Sequence, residues 1–320
     1  MLHASFLPPP PRLGRGPVIS VKHSLDYRIL SIQRTSRTVV FLNRAKGLDK
    51  TEYSQSCKSK SSSHLLGFVW VGPTEVVFIT NLGLEYYMVY PEKRSLKLIK
   101  SYNLTVNWFV YSSENKVLLL SSSLQANVLQ PYHFKDGSIT RLSKFEAELP
   151  FVYNQLSQKL LERDVYLAPI YQRLYCMIVK NNPKGHNGPK AEIALWRLSR
   201  DNTLKVATLA LDVNGRFAIN TSDNLVLVHH QSSKSTVVFD LKWLNTSHKD
   251  HPAQSDGDMM SIHRPIIAPF SITMKKEPAD GPKTDVAEYD LCESPGTMCP
   301  PVFAFLRNAK RSNHEVLVPG

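Results

Sequence analysis

A spacing of eight residues recurs five times along the chain. It separates Val21 from Ile29, Phe68 from Val76, Phe109 from Val117, Tyr166 from Leu174 and Phe217 from Leu225, each member opening a short apolar run. Successive first anchors stand 47, 41, 57 and 51 residues apart. Within the second unit, Phe68 to Val71 meets a Gly72-Pro73-Thr74 turn, Val76 to Ile79 meets Asn81-Leu82-Gly83, and Leu84 to Val89 leads into an alternating Leu96 to Ile99. Runs of β-branched and aromatic residues bounded by turn formers are strands. A third-strand string also repeats, as Thr38-Val39-Val40-Phe41-Leu42 and Thr236-Val237-Val238-Phe239-Asp240-Leu241.

Units of four strands in about 40–45 residues are the blades of a β-propeller, and a blade needs neighbours because it cannot bury its two faces alone. Longer intervals fit blades with inserted loops, such as the Asn, Pro and Gly-rich stretch from Asn181 to Lys190. The Gly-His and Trp-Asp signature of regular repeats is missing. The expected fold is therefore all-β, a degenerate (WD40-like) β-propeller, incomplete, with disordered termini. A β-sandwich with similar strand counts is the rival.

Three segments follow from this pattern: a disordered Pro-rich stretch over 1–18, a partial propeller over 19–244, and a mostly irregular or disordered tail over 245–320. Asn154 to Arg163 reads as a short helical loop, and Val302 to Leu306 as an isolated strand. Trp70, Trp108, Trp196 and Trp243 lie in or beside strands and read as core packing.

The formal net charge is +12, and residues 1–60 hold eleven Lys/Arg against three Asp/Glu. Such asymmetry suits an anionic membrane surface or a nucleic acid, and a solvated basic end equally well. Nucleic-acid modules interleave aromatics with their basic residues or carry a recognisable signature. Neither is present, so no nucleic-acid partner is expected. Four cysteines in 320 residues make no disulfide framework and read as reduced intracellular thiols. No apolar run approaches the roughly 18 residues that would span a bilayer.

Chemistry is sparse. There is no Gly-rich phosphate loop, nucleophile elbow or His-Glu-x-x-His. His248 and His251 have no third ligand nearby, and Cys292 and Cys299 are too far apart for a zinc knuckle. His229 and His230 are neighbours in a strand and point to opposite faces. No catalytic residue, cofactor or metal is expected, and the chain reads as a non-enzyme. The one stretch with recognition potential is Lys93-Arg94-Ser95-Leu96-Lys97-Leu98-Ile99-Lys100. Read as a regular strand from Ser95, it places Lys97 and Ile99 on one face and Leu96, Leu98 and Lys100 on the other. Lys93, Arg94 and Lys97 are the candidate interaction residues, on a solvated edge strand or against a partner or lipid headgroup.

Those residues also carry a resemblance. Pro91 to Leu98, Asn103-Leu104 and Val106-Asn107-Trp108 resemble the colon-cancer-associated Mic-one / Bulli family, the regulator subunits of the Mon–Ccz Rab exchange complex. Further matches run in order through Gln33 to Ser36, Asn127 to Pro131, Lys144 to Glu146, Glu162 to Asp164 and Asp223 to Gln231, covering about Val21 to Leu241. The resemblance implies a non-catalytic scaffold or regulatory subunit with an N-terminal propeller and a helical C-terminal region. Its partners would be the Mon–Ccz exchange heterodimer and, through it, the late-endosomal Rab GTPase. Its place would be cytoplasmic and peripheral on late endosome and lysosome membranes, supporting endosome maturation, autophagy and lysosomal trafficking. The chain departs from the family over residues 1–18, over Cys292 to Gly320, and in lacking the helical region, which makes it read as a truncated form.

Overall fold

A computed structural model of the chain describes residues 17–44, 51–58, 62–135, 137–149, 158–182, 190–242, 260–262 and 267–270. The chain divides into two compact units, Met1–Arg141 and Leu142–Gly320. Among the described residues there is no α-helix, only short turns of 3-10 helix.

The first unit holds three antiparallel meanders. The first runs β1 (Ser20–His23), β2 (Ile29–Gln33), β3 (Thr38–Asn43) and β4 (Tyr53–Ser56). The second runs β5 (Leu65–Trp70), β6 (Glu75–Thr80), β7 (Gly83–Tyr90) and β8 (Ser95–Asn103). The third runs β9 (Trp108–Ser112), β10 (Val117–Ser122), β11 (Val128–Lys135) and β12 (Ser138–Arg141). The second unit begins with a short β13 (Phe145–Glu146). Its first meander is β14 (Val165–Ile170), β15 (Arg173–Asn182), β16 (Lys190–Arg197) and β17 (Leu204–Leu211). Its second is β18 (Phe217–Ser222), β19 (Leu225–His230) and β20 (Ser235–Asp240). β21 (Met260–Ile262) lies parallel to β17, and β22 (Ile267–Phe270) supplies the fourth strand beside β20. These are propeller blades, and the fold is the all-β, WD40-like kind expected.

All five eight-residue pairs mark the first two strands of a blade. Phe68 pairs across to Phe78, Phe109 to Leu120, and Tyr166 to Met177. Both Thr-Val-Val-Phe strings are third strands, in β3 and β20.

The second blade shows why blades stack. Successive strand residues point to opposite faces, and both faces here are apolar. Phe68, Trp70, Val76, Phe78, Tyr87 and Val89 pack with Ile29, Val39, Phe41 and Tyr53 of the first blade. Val69, Val71, Val77, Ile79, Leu84 and Tyr86 pack with Leu118, Leu120, Tyr132 and Phe134 of the third. Phe78 makes ring contacts with Phe41, Phe68 and Tyr87 at 5.0–6.5 Å. In the second unit, Ile170, Met177, Ile193, Leu195 and Leu209 meet Val226, Val228 and Phe239 in the same manner.

Side chains from the leading strands add polar ties between blades. Lys22 Nζ donates to Phe68 O at 2.8 Å, and Tyr111 Oη donates to Trp70 O at 3.1 Å. Tyr166 Oη donates to Phe217 O at 2.9 Å in the second unit. Trp70 is buried with its indole N–H on Ser31 Oγ at 2.9 Å, while Trp108 and Trp196 are half-buried. Trp243 and the Val302–Leu306 stretch lie outside the described residues, as does residue 154–157 of the expected helical loop. The remainder of that loop contains a single 3-10 turn, Glu162–Asp164.

Candidate interaction surface

The basic stretch begins in the connection between β7 and β8. Pro91–Lys93 forms a 3-10 turn closed by Arg94, whose left-handed backbone (φ 48°) lets its N–H reach Pro91 O at 3.1 Å. The turn is held from the first blade. Tyr53 Oη donates to Asn43 Oδ1 at 2.9 Å, and Asn43 Nδ2 donates to Pro91 O at 3.0 Å. Lys93 and Arg94 are exposed, with Lys93 Nζ 5.9 Å from the Tyr90 ring centroid.

β8 is the outer strand of its blade, and no strand pairs with its other side among the described residues. Leu96 and Leu98 pack on the core shared with the first blade, opposite Val89 and Tyr87. Lys97 is exposed, as expected, and lies opposite Met88 on the other face. Lys100 departs from the sequence reading. A bulge leaves Ile99 without a partner on β7, so Leu98 pairs with Tyr87 and Lys100 with Tyr86. Alternation therefore restarts after Ile99, and Lys100 joins the face of Lys97 instead of that of Leu96 and Leu98. That shift of face is a non-local event that a period of two cannot foresee.

The face in question meets the third blade. Lys100 Nζ lies 5.1 Å from the Tyr102 ring, and Tyr102 lies 5.0 Å from the Tyr132 ring. Arg141 of β12 stands opposite Tyr132 in the ladder, exposed, with Nε donating to Gln130 Oε1 at 2.7 Å. Burial pushes the Tyr132 hydroxyl up to about 12, and the Arg141 charge opposes that shift. A carboxylate two strands inward on this face, Glu75, accepts from Tyr86 Oη at 2.6 Å.

Elsewhere, several charged groups pair internally. Lys180 has a buried side chain with its ammonium 3.5 Å from Glu148 and 3.8 Å from Glu192; Lys205 holds Glu148 at 3.0 Å. The Lys205 hydrogen bond keeps the Glu148 carboxyl below its usual range. His229 bonds Thr236 Oγ1 at 2.8 Å, while His230 bonds Ser233 Oγ at 2.7 Å and Asn214 O at 3.1 Å, so the two rings serve separate local contacts. Burial lowers the His229 pKa. Cys57 and Cys176 are buried free thiols, and burial pushes the Cys176 thiol up. No group of three or more His, Cys, Asp or Glu is placed to hold a metal, and no helix is long and apolar enough to cross a membrane, among the described residues. His248, His251, Cys292 and Cys299 lie outside the described residues.

Known proteins resemble the chain along much of its length. Residues 12–96 match the family described as Regulator of MON1-CCZ1 complex, N-terminal. The match begins at residue 12, so the departure from the family expected over residues 1–18 does not hold for residues 12–18. The human protein named Regulator of MON1-CCZ1 complex is 42% identical over 269 residues, covering 84% of this chain and 39% of that protein. A Dictyostelium discoideum homolog of that regulator is 26% identical over 227 residues, covering 71% of this chain and 21% of its own. The chain thus spans about two fifths of the length of the human relative. Among solved structures, the β-propeller domain of Cps50 (Swd1) from Myceliophteria thermophila aligns at 12% identity and TM-score 0.43, covering 68% of each chain. A putative 6-phosphogluconolactonase from Bacteroides fragilis aligns at 12% identity and TM-score 0.41, covering 68% of this chain and 64% of that one. Scores this low transfer no chemistry.

Proposed function

The chain belongs to the family of regulators of the MON1-CCZ1 complex, and on that footing we propose that it works as a non-catalytic scaffold and regulatory subunit of that complex. The exchange pair would be its direct partner, and a late-endosomal Rab GTPase the indirect one. Its setting would be the cytoplasmic surface of late endosomes and lysosomes, where it would support endosome maturation, autophagy and lysosomal trafficking.

The observation that carries the reading is 42% identity sustained over 84% of the chain. The architecture supports it as well: stacked blades offer rigid loops and edges, and such surfaces recognise large partners. The exposed Lys93 and Arg94, on the turn that Asn43 and Tyr53 hold, and Lys97 of β8 supply the proposed point of attachment.

Co-purification with affinity-tagged MON1–CCZ1 pair tests the proposal. The chain is expected to be retained on the pair and to elute with it. A folded chain that passes through the column would overturn the reading.

A further inference from the structure

We propose that the outer seam between the second and third blades, lined by Lys97, Lys100, Tyr102 and Arg141 over the buried Tyr132, is a docking site for an acidic extended segment of a partner protein. The inference deepens the reading of the chain as an interaction subunit and rests on it.

Three observations converge on the seam. First, the Ile99 bulge brings Lys97 and Lys100 onto one face, which a regular strand would divide between two. Secondly, the facing blade contributes Arg141 from β12 and Tyr132 from β11, so cations stand on both sides of a tyrosine pair whose rings are 5.0 Å apart. Thirdly, Lys97 and Lys100 have no carboxylate partner among the described residues, and Glu75 on the same face is engaged by Tyr86. A protein usually scatters exposed lysines among acids; here a positive row borders an aromatic floor.

The form of the site selects the occupant. A row of cations along the unpaired edge of β8 matches carboxylates spaced along an extended chain, and the free strand edge offers main-chain hydrogen bonds beside it. Half-buried Tyr102, resting on the buried Tyr132 ring, gives apolar contact area between the charges. A bilayer presents its charges in a plane, and the cations here line a seam between two blades. Lys93 and Arg94 extend the positive row beyond the end of β8.

Fluorescence anisotropy with a labelled glutamate-rich peptide, and with its glutamine counterpart, tests the site on the whole chain. The glutamate peptide is expected to bind and the glutamine peptide not. The Lys97→Glu/Lys100→Glu/Arg141→Glu variant should weaken binding about ten-fold or more, as the loss of several exposed charge pairs implies. The three side chains are exposed, and the melting transition of the variant checks that it folds; Lys97→Gln/Lys100→Gln provides a milder second variant. Equal binding of both peptides, or glutamate-peptide affinity untouched by the variants, would overturn the proposal. So would charge-dependent binding to phosphatidylserine vesicles in the absence of peptide binding. The two readings fail separately: a chain that binds the glutamate peptide but passes through the MON1–CCZ1 column keeps the site and sinks the subunit reading, and a chain retained on the column that ignores the peptide does the reverse.

Discussion

Tyr86 and Tyr87 are neighbours in β7 on opposite faces, and each hydroxyl donates to a carboxylate at 2.6 Å, Glu75 for one and Glu85 for the other. Burial, reinforced by those acceptors, holds both phenols protonated well above their ordinary value of 10.0. Burial likewise pushes Tyr111, Tyr132 and Tyr166 up to about 12. A phenol that ionises later when folded leaves the unfolded state binding fewer protons above its unfolded value, so stability falls as pH rises. The urea midpoint should therefore hold up to about pH 10 and drop steadily between 10 and 12, the interval between the unfolded and folded values of those tyrosines. Lys22, lowered by burial, works in the opposite sense, since its neutral amine is the better buried form. A flat midpoint across that window would contradict the burial of these rings. At Gly83 the backbone (φ +141°) is one that L side chains avoid, and a Cβ would stand 1.9 Å from Tyr102 O. Gly83→Ala should cost at least about 2 kcal/mol, read from the same denaturant curves.

At the scale of elements, the Ile99 bulge decides which groups meet. Leu98 and Lys100 already occupy opposite faces, so deleting Ile99 gives an unbroken ladder without turning either residue over. The deletion should leave the melting temperature within a few degrees and preserve glutamate-peptide binding. It should raise concentration-dependent self-association on size exclusion, because a straighter edge templates pairing more readily. Strands with local signals were legible in the sequence: all five anchor pairs and both Thr-Val-Val-Phe strings lie where the period of two and the turn residues put them. β4 is polar, with buried Tyr53 as its mark, and carries little signal of its own. β22 reaches β20 from residues 267–270 across a long connection, in a segment whose composition reads as irregular. The tyrosine seam was illegible for a related reason: Lys100 turns over at a bulge, and Arg141 meets Tyr132 only through the β11–β12 register. The exposure of Lys93, Arg94 and Lys97 was legible because charge on a turn and on the outer strand after it needs no tertiary information to face water.

For the molecule as a whole, stability rests on faces shared between blades. Phe78 is fully buried between the first and second blades. Phe78→Ala should cost about 3–5 kcal/mol, a large part of the margin of an ordinary domain, and calorimetry would show it as a lowered, broadened transition. Such a module presents fixed surfaces, so its action is expected to be read in what it holds. Amide hydrogen exchange of the chain, alone and saturated with purified MON1–CCZ1 pair, tests that most directly. The account predicts slowed exchange over Pro91–Asn103 and Ser138–Arg141, with the buried core strands β6 and β10 unchanged; exchange rates identical along the whole chain in the two states would contradict it.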